Sequence, residues 1–167
     1  RDRSGRYDLW LFDLTRSTSA RFTFSTSLNR LPLWSPDGRR IAFASDRDGG
    51  IRNLYHKTAN GTEQDELLLK SGASKSPTGW SSDGTLLVYQ TDDPKTGSDI
   101  WVLPLTGNRT PRPYLATAAN EGQGRLSPDN RWMAYVSDES GQSEVYVQPF
   151  PASGAKWQVS TAGGIYP

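Results

Sequence analysis

Three stretches of the chain are apolar on both sides of an extended strand: Ile41-Ala-Phe43-Ala, Leu86-Leu87-Val88-Tyr89 and Met133-Ala-Tyr135-Val. A strand half in water would alternate apolar and polar residues, so these runs predict strands covered from both faces. Each follows a polar turn: Trp34-Ser-Pro-Asp37-Gly38, Trp80-Ser-Ser-Asp83-Gly84 and Leu126-Ser-Pro-Asp129-Asn130. Pro fixes φ there, Asp can bond nearby backbone amides, and Gly tolerates a positive φ. Asn130 takes the place of Gly in the third turn, and Asn is among the residues that best tolerate that geometry.

The turn aspartates fall at 37, 83 and 129, a spacing of 46 both times, so the strands belong to a repeat. Downstream of each turn come a polar residue, an aliphatic and an aromatic: Asn53-Leu54-Tyr55, Asp99-Ile100-Trp101 and Glu144-Val145-Tyr146. An extra copy, Asp8-Leu9-Trp10, precedes the first, and Asp2-Arg3-Ser4-Gly5 ahead of it matches Asp46-Arg47-Asp48-Gly49. Each period predicts four strands. The first lies at 31–34, 78–80 and 124–126, and the second at about 39–45, 85–91 and 131–137. The third lies at about 51–58, 98–104 and 143–149, and the fourth near 65–69, 112–115 and 156–159.

Four-stranded antiparallel units of this length, stacked face to face, predict an all-β fold, a β-propeller. The expected division is a partial blade over 1–29, blades at about 30–75, 76–121 and 122–162, and the start of another at 163–167. Propellers close with roughly four to eight blades. Three full repeats plus partial ones therefore imply an incomplete ring, or a four-bladed one in which 165–167 supply an inner strand. The absence of an initiator Met adds the expectation of a piece of a longer protein, and open end blades predict self-association.

Composition agrees and narrows the function. Among 167 residues, Gly 16 and Pro 11 supply turns, while six Trp, seven Tyr and five Phe supply large rings for packing between blades. Lys and Arg (19) nearly cancel Asp and Glu (18), which argues against nucleic acid as a partner. No run approaches the roughly 18 apolar residues of a membrane span, so direct membrane insertion is not expected. With no cysteine, disulfides and thiolate chemistry are excluded.

The motif Trp-Ser-Pro-Asp-Gly-Arg-Arg-Ile-Ala-Phe-Ala-Ser-Asp (34–46) with its downstream strand resembles the TolB-type WD-like propeller repeat, over nearly the whole chain. The last copy, from Leu126 on, is similar to propellers at the C-terminus of bacterial transmembrane serine/threonine kinases. The resemblance implies a non-catalytic interaction or ligand-sensing module on the periplasmic or extracellular side of a bacterial membrane. Propellers of this kind also precede prolyl oligopeptidase-like hydrolase domains, and a gating propeller of such a peptidase is the alternative.

Catalytic chemistry finds little footing in the residues. No Gly-x-Ser-x-Gly elbow is present. The single histidine, His56, occupies a third-strand position matched by Val102 and Val147, which predicts a packed side chain rather than a general base. Gly122-Gln-Gly124 lacks the third Gly and the helix of a nucleotide loop. Asn60-Gly-Thr62 and Asn108-Arg-Thr110 match glycosylation triplets without further support, and Arg39, Arg40, Arg109, Arg112 and Arg131 are scattered as a solvated surface would have them.

No cofactor is expected. Calcium is the one metal weighed, at Asp46, Asp92 and Asp138, where repetition at the end of each second strand favours bonds to loop amides instead. The propeller topology gathers the second-to-third and fourth-to-first loops on one face around the channel: 25–29, 46–50, 72–76, 92–98, 118–123, 138–142 and 162–164. Asp48, Asp93, Asp99, Glu139, Asn120 and Glu121 are its candidate contacts for a protein or small polar ligand.

Overall fold

The computed structural model describes residues 7–61 and 63–167, which carry fourteen strands and no helix. The Asp2-Arg3-Ser4-Gly5 match and the end of the Asn60 triplet at Thr62 lie outside the described residues. A two-stranded sheet, β1 (Trp10–Asp13) and β2 (Thr18–Arg21), leads the chain. Three four-stranded antiparallel sheets follow, each in chain order. The first is β3 (Asn29–Trp34), β4 (Arg40–Ser45), β5 (Asn53–Thr58) and β6 (Glu66–Leu69). The second is β7 (Lys75–Trp80), β8 (Leu86–Asp93), β9 (Gly97–Pro104) and β10 (Arg112–Leu115). The third is β11 (Glu121–Leu126), β12 (Trp132–Ser137), β13 (Glu144–Pro149) and β14 (Trp157–Gln158). This is the β-propeller architecture. Residues 165–167 form no strand, so they do not supply the inner strand of a fourth blade.

The turns form as their residues dictate. Ser35, Ser81 and Ser127 donate their hydroxyls to Asp37, Asp83 and Asp129 at 2.6, 2.5 and 2.6 Å. The same aspartate oxygens accept the amides of Arg39, Thr85 and Arg131 at 3.0, 3.0 and 3.1 Å. The fourth turn residues, Gly38, Gly84 and Asn130, all take the left-handed conformation, with φ of 66°, 71° and 58°.

The doubly apolar strands split their side chains between two neighbours. Ile41 and Phe43 pack back onto Leu9, Phe22 and Tyr55, while Ala42 turns forward to Trp80, Leu87, Tyr89 and Leu103. One sheet on, Leu87 and Tyr89 face back and Val88 faces forward to Ile100, Met133, Tyr135 and Tyr146. Rings at equivalent positions stack, with centroids 6.0 Å apart for Phe43 and Tyr55 and 5.7 Å for Tyr135 and Tyr146. Trp80 is buried against the sheet before it, but its equivalent Trp34 is 52% exposed because only β1 and β2 stand in front of it.

The first strands begin earlier than their sequence pattern predicts, at 29, 75 and 121. Each carries a register shift after its opening residues, between Arg30 and Leu33, Pro77 and Gly79, and Gly122 and Arg125. A bulge breaks the alternation by which a strand is read. Leu31 and Gln123 sit at matching places in two of these bulges with positive φ, 56° and 57°.

Candidate functional site

One end of the stack collects the loops after β2, β4, β6, β8, β10 and β12, and hydrogen bonds tie them together. Leu28 donates its amide to Asp46 Oδ1 at 2.9 Å, and Asn120 donates its amide and side-chain nitrogen to Asp138 at 2.8 and 2.7 Å. Asp92 donates its amide to Ser74 O at 3.2 Å. The Asp-containing turns lie at the opposite end, where Ser82 donates to Asn130 Oδ1 at 2.8 Å. Asp46 and Asp138 therefore bond loop amides, while Asp92 lies 3.6 Å from Arg52. Among the described residues no three acidic or histidine side chains converge as a metal centre would need.

The candidate contact residues divide. Asp93, Asn120 and Glu139 are exposed at the loop end. Asp93 closes the β8–β9 hairpin by accepting the Lys95 amide at 2.8 Å, which holds its carboxyl below the usual range. Asn120 accepts the Ser98 amide at 3.2 Å, and Glu139 pairs with Lys156. Asp48 is half-buried and accepts the Tyr55 hydroxyl at 2.8 Å, with Lys70 3.4 Å away. Burial and that carboxylate push the Tyr55 hydroxyl up to about 12. Asp99 and Glu121 correct the expectation: neither is an exposed loop residue. Asp99 is the third residue of β9 and Glu121 the first of β11, and they are only 3% and 2% exposed, because both belong to the packed strands rather than to the loops.

A cleft of about 260 Å³ opens between the first two complete blades, walled by Leu69, Tyr89, Trp101 and Pro111 and floored by Lys75 and Asp99, with Asp92 and Asp93 beside them. The buried Lys75 ammonium donates to Ala73 O at 2.6 Å and Asn53 Oδ1 at 3.2 Å, and desolvation draws its pKa down. Lys75 escaped the sequence reading, because its counterparts in the other two copies are Asn29 and Glu121 and no repeated residue type marks the position. His56 is a buried strand residue with Nε2 3.0 Å from Glu66 Oε2, and burial lowers its pKa against the opposing pull of Glu66. Gly122 and Gly124 stand in β11, not in a loop. A Cβ on Gly124 would meet Ile100 Cγ2 at 3.0 Å and Val88 Cγ1 at 3.2 Å, so this glycine lets two blades approach.

No family model matches the chain. The chain is 28% identical, over 87% of its length, to the protein TolB homolog of Chlorobium luteolum, of which it covers 32%. It is 24% identical, over 84% of its length, to the uncharacterized peptidase YuxL of Bacillus subtilis, of which it covers 27%. It thus spans about a third or less of these relatives. TolB from Acinetobacter baumannii has a solved structure that matches with a TM-score of 0.79 at 19% identity, over 95% of this chain and 38% of that one, a likeness of fold. With the 46-residue repeat, the four-stranded blades and these matches in hand, the chain is a β-propeller similar to TolB.

Proposed function

We propose that the chain is a non-catalytic protein-interaction or ligand-sensing module, working on the outer side of the cytoplasmic membrane of a bacterium through its loop end. The observation that carries this reading is the contrast between the two ends. The turn end is the same Ser-Asp-Gly/Asn arrangement three times over, whereas the loops differ from blade to blade in length and charge and leave Asp93, Asn120 and Glu139 exposed. A surface that varies on a rigid repeat is where specificity is built. The match to a TolB homolog supports the compartment and a protein partner.

A photo-crosslinking amino acid at Asp93 or Asn120, and in parallel at Asp83 or Asp129, in the whole protein within its host tests this. Adducts from the loop positions alone are expected; equal adducts from both ends, or adducts from the turns alone, overturn it.

The match to YuxL favours a second reading, a propeller that screens access to a peptidase domain elsewhere in the same polypeptide. A downstream α/β-hydrolase domain that cleaves peptides, with cleavage altered by loop-end substitutions, would establish it. An upstream kinase domain and membrane span would establish a sensor kinase instead.

A further inference from the structure

The repeats give an internal comparison near the start of the third strand. Asn53, Asp99 and Glu144 hold the same place in successive blades, as do Tyr55, Trp101 and Tyr146 two residues on. In the first complete blade both places are satisfied within the protein. Asn53 Oδ1 accepts the Ser71 amide and the Lys75 ammonium at 3.2 Å each, and the Tyr55 hydroxyl donates to Asp48 at 2.8 Å. In the last blade Glu144 uses both carboxylate oxygens, Oε1 accepting the Gly163 amide at 2.9 Å and Oε2 the Ser160 hydroxyl.

The middle blade leaves the same places open. Asp99 has one partner, the Thr96 hydroxyl at 2.8 Å on Oδ2, and its Oδ1 is buried with no hydrogen bond in a residue 3% exposed. The Trp101 indole N–H is also buried without an acceptor, and Pro94, which carries no acceptor side chain, stands where the first blade has Asp48. Both residues line the cleft of about 260 Å³ between the first two complete blades, and so does Lys75, 2% exposed. Ala73 O and Asn53 Oδ1 take two of the three hydrogens of the Lys75 ammonium. One cleft thus gathers an ammonium with a hydrogen to spare, a carboxylate oxygen with nothing to accept and an indole N–H with nothing to donate to. Buried groups left this way are costly until a partner meets them.

We infer that this cleft binds a free α-amino acid with an apolar side chain, its ammonium on Asp99, its carboxylate on Lys75 and the Trp101 indole, and its side chain against Leu69, Tyr89 and Pro111. Opposite charges in one small cavity call for a molecule that carries both, since a simple anion or cation leaves one of them unmet. The volume lies below the roughly 300–1,000 Å³ of pockets for drug-sized ligands, which suits one compact molecule. Asp92 and Asp93, also at the cleft, are already engaged, Asp92 with Arg52 at 3.6 Å and Asp93 with the Lys95 and Thr96 amides at 2.8 and 3.3 Å. The inference rests on the ligand-sensing side of the proposed function and names the class of ligand.

Isothermal titration calorimetry of the whole protein with L-leucine and L-phenylalanine tests it. Saturable binding of at least one, at one molecule per chain, is expected. The N-acetyl form of that amino acid, which lacks the ammonium, and its amide, which lacks the carboxylate, should each bind at least tenfold more weakly. Asp99→Asn keeps the side-chain shape and removes its charge, and it should weaken binding at least tenfold in a protein whose near-ultraviolet circular dichroism is unchanged. Trp101→Phe keeps a ring and deletes the N–H, and it should weaken binding severalfold. No saturable heat from either amino acid, equal affinity for either capped form, or undiminished binding in folded Asp99→Asn or Trp101→Phe overturns the inference. Such a failure leaves the crosslinking outcome at Asp93 and Asn120 untouched, so the two readings fall separately.

Discussion

Replacing Gly124 by alanine adds one methyl group at the closest approach between two blades. The new Cβ would lie 3.0 Å from Ile100 Cγ2, 3.2 Å from Ile100 Cδ1 and 3.2 Å from Val88 Cγ1, all inside ordinary contact distance. Val88 and Ile100 are fully buried and have no room to retreat. Overpacking of this kind costs about 1–3 kcal/mol. Against it stands a gain of about 0.4–1 kcal/mol from restricting the unfolded chain, since Gly124 has no left-handed φ to strain. Mid-range values of about 2 and about 0.7 kcal/mol leave a net loss of about 1.3 kcal/mol, a fall of roughly 3–5 °C in the midpoint for a chain of this size. Gly72→Ala is the control: nothing lies within 4 Å of its Cβ position and its φ is ordinary, so the same mutation there should be neutral or stabilising by up to about 1 kcal/mol. Differential scanning calorimetry of both variants decides the matter. If Gly124→Ala proves as stable as the parent while Gly72→Ala behaves as expected, the blades do not approach through Gly124 and the packing argument fails.

Two further outcomes follow from the turns and from His56. Ser81 is 1% exposed and serves both Asp83 and the Leu86 amide, so Ser81→Ala should cost about 1–3 kcal/mol in urea unfolding. The turn aspartates Asp37, Asp83 and Asp129 all have carboxyls held below their ordinary 3.8, chiefly by the serine hydroxyls. Their stabilisation is present above that value and lost as pH falls through the lower folded ones, so Asp→Asn at all three should flatten the acid limb of a stability profile. His56 is held neutral by burial, its pKa drawn down from 6.5, so stability should fall as pH drops below that value. His56→Val, which copies Val102 and Val147, should remove that slope; an unchanged slope would show that another group titrates there.

The amino-acid sequence determined the blades almost alone. A spacing of 46 residues, turns whose Asp and Gly or Asn have one conformational use, and middle strands apolar on both sides leave few ways to fold. Local chemistry sufficed because each of these signals acts within a hairpin. The starts of β3, β7 and β11 were not legible, since a bulge with Leu31 or Gln123 at positive φ interrupts the alternation that marks a strand. The loop end was legible as a face but not residue by residue: Asp93, Asn120 and Glu139 stand exposed, while Asp99 and Glu121 go inside. What separates them is their place in the sheets: Asp99 and Glu121 belong to β9 and β11 and are packed there, whereas Asp93 ends β8 and Asn120 and Glu139 lie outside the strands. Tertiary contact also decides that Asn53 meets the Lys75 ammonium. Those two residues lie 22 positions apart in the chain, and only the stacking of the sheets brings them together.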